Sequence, residues 1–312
     1  MSYLPWLLPL LALWLLAEFK TSRPDGTLER IHPFRRILLY LLPERNGAVV
    51  YFDAYADGEQ LAAWLARHKE AGAGAPGGGV NMTHLTVAAA NIALAATPKM
   101  NRFVVGRRLY RRNARWLSFS MKRARMDREA QISTVKLEMP DGEAFSELVA
   151  RMNGGIKAER SGKKTRTDKE LDLFNFFPRP VLRFGTWALK TADYYNLLPR
   201  AYIDGDPLFT SIFIANLGSL GMGAGYHHLF EYGNCPMFIM IGKLEDRVVV
   251  KNGQPVVRPM LHVRFTYEER IEDGLNARFG IDRFIEILEN PGPWLDEGAM
   301  WPRVEARQAA NG

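Results

Sequence analysis

The sequence predicts one large domain of the α/β class, and three observations support this. The chain has 312 residues, 47% hydrophobic and 24% charged, which is enough apolar material for a sizeable core. Several segments alternate apolar and polar residues with the period of a strand, most clearly residues 261–267. Other segments space apolar residues as a helix does, most clearly residues 57–71, where Leu61, Trp64 and Leu65 are predicted to point inward.

The first predicted element is an apolar segment, residues 3–17, followed by Glu18, Lys20 and Arg23. It is apolar on every helical face and resembles a membrane segment, but it is shorter than the ~20 residues that a spanning helix needs. It also lacks the basic leader and the small-residue cleavage site of a signal peptide. Two alternatives stay open: an anchor or interfacial segment at a membrane surface, or an arm packed on a neighbouring subunit.

The next part of the chain is predicted to contain four strands, three helices and two connections. In order these are strand 48–54, helix 57–71, a glycine-rich linker 72–79, a helix capped by Asn81 or Thr83 that ends before Pro98, strands 102–105, 114–122 and 131–138, helix 141–152, and a polar, basic, mobile segment 154–169. The linker lacks the residue order of a phosphate-binding loop.

Residues 180–198 are rich in aromatic side chains, namely Phe184, Trp187, Tyr194 and Tyr195. Two interpretations stay open for them. They either fill the core or line a hydrophobic pocket, and core filling is favoured because large aromatic side chains usually serve that purpose.

The single cysteine, Cys235, excludes an internal disulfide and a cysteine metal cluster. Its expected role is that of a small buried hydrophobic side chain. The spacing of the six histidines fits no metal site either, so no metal is predicted. A lone cysteine fits a reducing compartment. We therefore expect a cytoplasmic protein, associated with a membrane if residues 3–17 act as an anchor.

Two segments near the C-terminus carry the most specific pattern. Residues 267–274 read Tyr-Glu-Glu-Arg-Ile-Glu-Asp-Gly, and residues 213–221 read Phe-Ile-Ala-Asn-Leu-Gly-Ser-Leu-Gly. The first resembles the D-H-R-x-x-D-G signature, and the second the T-I-S-[NS]-L-G segment, of the dihydrolipoamide acyltransferases of 2-oxo acid dehydrogenase complexes and their relative chloramphenicol acetyltransferase. The segments 242–243, 252–253 and 257–267 follow the order of the family's last strands.

The resemblance covers about residues 28–292 and is loose between 140 and 208. It implies a chloramphenicol acetyltransferase-like fold, an α+β two-layer sandwich in which helices flank a mixed sheet. The expected domains are an arm or anchor at 1–27, an acyltransferase-like domain at 28–292 and a tail at 293–312. Because only 27 residues precede the domain, the family's lipoyl domain and flexible linkers are expected to be missing. A homotrimer, or a larger cage, is expected from the resemblance.

The resemblance places Glu269 where the family has its catalytic histidine and Ala215 where it has a serine. The family histidine is the general base that takes a proton from the thiol of coenzyme A or dihydrolipoamide. Glutamate normally titrates near pH 4.3, histidine near 6.5 and a thiol near 8.5, so an unperturbed glutamate is the weaker base. The family serine donates a hydrogen bond to the oxyanion, and losing such a donor costs about 10²- to 10³-fold in rate.

Other residues receive weaker predictions. Asp273 is expected, from the resemblance, to form a buried structural ion pair with Arg35 or Arg36. His227, beside His228 in a glycine-flanked turn, is the weak candidate for a replacement base, and a surface histidine pair is the alternative interpretation.

The net charge of +7 is concentrated in residues 102–128 and 157–169. Most of these side chains are expected to be solvated. Nucleic acid is disfavoured as a partner because no zinc-finger spacing, helix-turn-helix pattern or aromatic-interleaved motif accompanies the arginines. The phosphates of coenzyme A and anionic lipid headgroups stay open as partners.

Two functional hypotheses follow. The first is a catalytically degenerate acyltransferase-fold protein that acts as a trimeric scaffold or binding module. The second is an active CoA-dependent acyltransferase that takes an acyl group from a thioester, with Glu269 as a base of raised pKa and Asn216, or a backbone amide near Gly218, stabilising the oxyanion. Whether the chain is an enzyme is left open. No covalently bound cofactor is expected, and coenzyme A or acyl-CoA is the expected ligand.

Overall fold

A six-stranded mixed sheet organises the chain in the computed structural model, which describes residues 4–71, 79–123, 132–161 and 176–296. Its strands lie in the order β2-β9-β8-β7-β5-β6, and β1, β4 and β3 form a second, small sheet. The strands are β1 (Gly26–Leu28), β2 (Val49–Asp57), β3 (Arg102–Val105), β4 (Arg108–Arg112), β5 (Arg115–Lys122), β6 (Ile132–Met139), β7 (Ile212–Asn216), β8 (Met237–Lys251) and β9 (Gln254–Glu268).

Nine α-helices occur in the described residues. They are α1 (Leu4–Phe19), α2 (Pro33–Leu41), α3 (Glu59–Ala71), α4 (Met82–Ala96), α5 (Phe145–Arg160), α6 (Arg179–Tyr194), α7 (Arg200–Gly205), α8 (Gly274–Glu289) and α9 (Gly292–Leu295). Within the described ranges no helix is both long and apolar enough to cross a membrane.

The central strand β7 runs parallel to both of its neighbours, β5 and β8, whereas the outer pairs are antiparallel. β8 and β9 form a long hairpin whose two-residue turn is Asn252-Gly253. Both turn residues have positive φ, 53° and 76°, which Asn-Gly tolerates and which matches the twist of paired strands. The sheet is therefore mixed, as expected.

Helix α4 lies at the centre of the main core. All twelve residues from 84 to 95 are buried, because the helix packs between the sheet, α5 and α8. Asn81 caps it by accepting hydrogen bonds from the backbone amides of Thr83 and His84. The apolar side of the sheet facing α4 includes Ile214 and Ile239. The opposite side carries a second cluster that includes Ala215.

A buried ionic network joins the small sheet to the rest of the domain. Arg23 Nε donates to Asp25 Oδ1 at 2.6 Å, and Arg112 Nη2 donates to Asn234 Oδ1 at 2.8 Å. Burial lowers the pKa of Arg112 to about 10, which the charge of Asp25 counteracts. The expectation that residues 102–128 are solvated is therefore wrong for Arg112, which is 4% exposed.

Two segments differ from their predicted conformation. Helix α5 continues to Arg160 rather than ending at Met152, so residues 154–160 are helical, not a mobile loop. Gly155 lets this helix approach the Val135 side chain, which an added Cβ would meet at 2.8 Å. Residues 72–78 of the linker and residues 162–169 of the basic segment lie outside the described residues.

The aromatic segment 180–198 is the second difference. It forms α6, and no residue of that helix is buried. Phe184 is 66% and Trp187 60% exposed, so core filling is wrong for both. Tyr194 and Tyr195 are half-buried at the end of the helix. The predicted domain boundaries stay predictions, although Trp294 and Leu295 are buried in the main core.

Candidate functional site

A cavity of about 660 Å³ opens where β7 ends. Ala215 and Asn216 supply its floor, the first turn of α4 one wall, and the ends of β5 and α5 another. Apolar side chains such as Phe119 line the interior, whereas Lys122, Arg160 and Lys243 lie among its lining residues as cations. An apolar interior with a few cationic groups suits a ligand that carries both an acyl chain and an anionic group.

The turn after β7 gives this cavity its shape. Asn216 Oδ1 accepts a hydrogen bond from the Ser219 amide at 3.1 Å, and Asn216 Nδ2 donates to Thr83 Oγ1 at 3.2 Å. At Gly218 an added Cβ would collide with the carbonyl oxygen of Gly242. The glycine therefore lets the turn pack directly on β8. The predicted oxyanion candidate Asn216 lies in the cavity, but both ends of its amide already have partners.

Ala215, which motif order predicts to stand at the position of the family serine, is 8% exposed. It pairs with Met240 of β8 and packs in the cluster with Phe213 and Phe238. Its methyl group can donate no hydrogen bond. A ligand in the cavity therefore meets a surface without a hydroxyl at this position.

Glu269 follows the last residue of β9 and is exposed. Its backbone amide donates to the Ala48 carbonyl oxygen at 2.9 Å. Four carboxylates lie in the stretch 268–273, and only the Glu269 side chain makes no hydrogen bond or ion pair with the part of the chain that the structure describes. Burial raises the pKa of the neighbouring Tyr267, and the charges of Glu269 and Asp273 raise it further.

Ala215 and Glu269 do not meet within one protomer. Ala215 pairs with Met240, which pairs with Arg264, and Glu269 lies five residues beyond Arg264. Five residues of strand span about 17 Å, and two strand spacings add about 10 Å at right angles. The two positions are therefore about 20 Å apart, with β8 and β9 between them.

The residues around Glu269 are held by buried ion pairs. Glu268 is fully buried and accepts hydrogen bonds from Arg45 Nε at 2.9 Å and from Arg270 Nε at 2.6 Å. Arg45 also donates to the carbonyl oxygens of Phe230 and Gly233. These contacts fix the chain on both sides of Glu269, and sequence reasoning missed them because Arg45 lies 223 residues away.

The predicted ion pair of Asp273 takes a different form. Arg35 Nη2 lies 3.0 Å from Glu272 Oε1 but 3.9 Å from Asp273 Oδ2. The Asp273 side chain is 57% exposed, so the pair is not buried as expected. Asp273 instead caps α8 by accepting from the amides of Leu275 and Asn276. Arg36 is exposed and pairs with no carboxylate of the described residues.

His227 lies on the same side of the sheet as Ala215, stacked on Phe238 with ring centroids 4.1 Å apart. Its carbonyl oxygen accepts a hydrogen bond from Thr266 Oγ1 at 2.8 Å, and its Nδ1 contacts the His228 carbonyl. Burial lowers the pKa of His227. In the described ranges no three His, Cys, Asp or Glu side chains are grouped as metal ligands.

Comparison with known proteins confirms the family resemblance. Residues 209–295 match the family model of the 2-oxoacid dehydrogenases acyltransferase (catalytic domain). The dihydrolipoyllysine-residue succinyltransferase component of the 2-oxoglutarate dehydrogenase complex from Cupriavidus necator is 38% identical over 64 residues, which is 20% of this chain and 15% of that protein. The match thus spans a small part of that relative's length.

Solved structures confirm the expected fold. The Azotobacter vinelandii dihydrolipoamide acetyltransferase, studied for the role of a serine, a histidine and an asparagine in its catalytic mechanism, has a TM-score of 0.57 at 16% identity, covering 89% of this chain and 96% of that one. The cubic core of a pyruvate dehydrogenase multienzyme complex has a TM-score of 0.50 at 14% identity, over the same shares. The chain has the fold of dihydrolipoamide acyltransferase cores.

Proposed function

We propose that the chain is a catalytically degenerate acyltransferase-fold protein that assembles as a homotrimer and binds an acyl thioester without transferring its acyl group. One interpretation of the sequence carries this proposal: motif order aligns Ala215 with the family's serine and Glu269 with its histidine. The Azotobacter vinelandii enzyme, whose mechanism was studied through a serine and a histidine, has the same fold. A fold alone does not carry the chemistry, which belongs to specific side chains.

The environment of the two positions supports the loss of catalysis. Ala215 offers no hydrogen bond to a developing oxyanion, and Asn216 Nδ2 already donates one of its two N–H groups to Thr83 Oγ1. Glu269 is exposed in the protomer, and a carboxylate gains basicity through desolvation. In the part of a single protomer that the structure describes, nothing supplies that desolvation.

Assembly is supported by the same geometry. Because Ala215 and Glu269 lie about 20 Å apart, a single protomer cannot present both to one substrate. A site built from both positions requires the Glu269 of a neighbouring protomer. The unengaged side chain of Glu269 is available for such a contact.

The ligand follows from the chemistry of the β7 cavity, defined by its floor residues Ala215 and Asn216. The apolar interior suits an acyl chain, and Lys122, Arg160 and Lys243 suit the phosphates of coenzyme A. The ammonium of Lys243 lies 3.0 Å from Glu245 Oε2, so a phosphate would share or replace that ion pair. Binding needs neither a base nor an oxyanion donor, so it survives the loss of both.

The proposal is tested by supplying purified protein with acyl-CoA and a thiol or amine acceptor. We expect acyl-CoA to bind, and Lys243→Ser to weaken that binding, while the native protein and Glu269→Ala show the same background turnover. Lys251→Ser, an exposed cation on the β8–β9 hairpin, is the matched control for binding. Faster turnover by the native protein than by Glu269→Ala would reject degeneracy.

An active acyltransferase is the alternative, and one observation favours it: the Glu269 side chain has no hydrogen-bond or ion-pair partner among the described residues. If a neighbouring protomer buried Glu269, desolvation would make its carboxylate a stronger base. A pH-rate profile for the native trimer would then show an ionisation that is absent in Glu269→Gln. The alternative fails if the two profiles coincide.

A further inference from the structure

Helix α6 exposes large aromatic side chains to solvent. Phe184 and Trp187 are 66% and 60% exposed, their rings are 5.6 Å apart, and Phe176 just before the helix is 82% exposed. Phe184 and Trp187 border an open groove together with Arg179 and Arg183. Exposed aromatic side chains in such number indicate a surface that binds another protein, a membrane or a ligand.

Basic residues form a stripe beside these rings. Arg179, Arg183 and Lys190 lie four and then seven residues apart, which places them on one side of the helix, next to the side that carries Trp187. Residues 176–192 contain no acidic residue. Asp193, the only acidic residue of the helix, is turned inward onto Arg23 at 3.2 Å.

Helix α2 repeats this composition. Its exposed side carries Phe34, Ile37, Tyr40 and Leu41, each at least 52% exposed, with Arg36 among them. The helix contains no acidic residue. Only Leu39 is buried, so most of its apolar surface faces outward.

Helix α1 adds a third apolar element, with Leu8, Leu13, Leu16 and Phe19 all more than 60% exposed. The three helices come together at their C-terminal ends. The last residues of α1, the second half of α2 and the last residue of α6 border one groove, together with Arg30, Arg107 and Arg108. Its two carboxylates, Glu18 and Glu29, pair with Arg108 and Arg102. We call the exposed sides of α1, α2 and α6 the three-helix surface.

We propose that the three-helix surface binds the interface of an anionic lipid bilayer. Aromatic and aliphatic side chains beside a basic stripe are the composition of helices that lie in the headgroup region. Arginine and lysine near the surface of anionic lipid each contribute a favourable term, and tryptophan prefers the interfacial depth. Helix α1 has 16 residues and is about 24 Å long, less than the ~30 Å hydrocarbon core, so it lies in the interface with the others.

A second copy of the chain related by a twofold axis fits the three-helix surface less well. In a twofold interface the same patch meets itself, so the arginines of α2 and α6 would face arginines. Neither helix offers a solvent-facing carboxylate to neutralise them. Anionic headgroups supply that charge, and this complementarity is why lipid is the occupant proposed.

The test is cosedimentation of the full chain with vesicles of phosphatidylcholine alone or mixed with phosphatidylglycerol. We expect binding to the anionic vesicles that salt weakens. Arg183→Ser with Trp187→Ser on α6 should lower the partition coefficient at least about fivefold, because one surface cation alone contributes about that factor. Val248→Ser with Lys251→Ser removes one exposed apolar residue and one cation from the β8–β9 hairpin and should leave binding unchanged.

Insertion is read independently from an environment-sensitive dye on Phe184→Cys, with Val250→Cys as its control. The native Cys235 is buried, and burial raises its pKa to about 11, so it will not compete for the label. A blue shift at position 184 alone, on addition of anionic vesicles, supports the proposal. The proposal is overturned if the native protein does not bind anionic vesicles, or if the α6 and hairpin double variants bind them equally well. It is also overturned if the α6 double variant changes its oligomeric state while its lipid binding is unaffected.

Discussion

Replacing Glu268 by glutamine tests whether the stretch around Glu269 is kept for structural reasons. Glu268 is fully buried between two guanidinium groups, Arg45 at 2.9 Å and Arg270 at 2.6 Å. Both arginines are themselves at most 5% exposed. The carboxylate is therefore the counter-charge of a buried cluster, not a group presented to a ligand.

The expected change in the free energy of unfolding follows from the interactions that glutamine preserves and those that it removes. It keeps the shape and one acceptor oxygen, so Glu268→Gln removes one charge-assisted hydrogen bond, which contributes about 1.5–3 kcal/mol. It also leaves two buried cations without their counter-charge, and removing one partner of a buried pair costs about 3–5 kcal/mol in all. We expect a loss of about 3–5 kcal/mol in the free energy of unfolding.

The loss is measured by urea unfolding of the native protein and the variant at equal protein concentration, because assembly makes stability concentration-dependent. The melting temperature should fall on the order of 10 °C. Asp282→Asn is the control, since Asp282 pairs with Arg278 on the exposed side of α8 at 3.2 Å and should contribute less than about 0.5 kcal/mol. A change below about 1 kcal/mol for Glu268→Gln would refute this reasoning.

Three further predictions concern other sites. Burial disfavours the ionised form of Asp25, but Arg23 and the other partners of Asp25 hold its pKa below the usual value. The stability that Asp25 contributes is therefore present near neutrality and is lost as the pH falls through the pKa of the folded state. Asp25→Asn should flatten the acid side of a plot of unfolding free energy against pH. Gly218→Ala should cost about 1–3 kcal/mol in urea unfolding through its clash with Gly242, while Gly223→Ala, which meets open space, stays within about 0.5 kcal/mol. Cys235 should resist alkylation at pH 8 until denaturant is added, because burial raises its pKa to about 11; rapid labelling of the native protein would contradict this.

Sequence alone predicted the elements whose signals are local. Helix α4 was predicted from its cap at Asn81 and from Pro98 after its end, and the end of β9 from the alternation of residues 261–267. In each case the residues that form the element also carry the pattern.

The sequence could not predict contacts made by distant charges. Strand β4 is rich in arginine and reads as a solvated segment, yet Arg112 is buried because Asp25 and Asn234 are brought to it from 87 and 122 residues away. The same holds for Arg45 and Glu268. The aromatic content of residues 180–198 likewise indicated large apolar side chains, but it did not predict that Phe184 and Trp187 are exposed to solvent.

The candidate site was predicted in part. The positions of Ala215 and Glu269 came from motif order, but their separation of about 20 Å depends on the strand register. The Asp273 ion pair moved to Glu272 because Arg35 reaches that carboxylate first, at 3.0 Å. Which of two neighbouring carboxylates pairs with an arginine depends on the length and direction of the side chains, and a sequence motif does not encode it.

The central claim is that a complete acyltransferase scaffold lacks only two catalytic groups, and restoring both tests it most directly. Ala215→Ser with Glu269→His is assayed for acyl transfer from acyl-CoA to dihydrolipoamide beside the native protein and each single variant. The claim predicts that the double variant turns over at least about 10²-fold faster than the native protein, since an oxyanion donor and a general base each contribute that much or more. A double variant that assembles and binds acyl-CoA but stays silent, or a native protein already as fast, would contradict it.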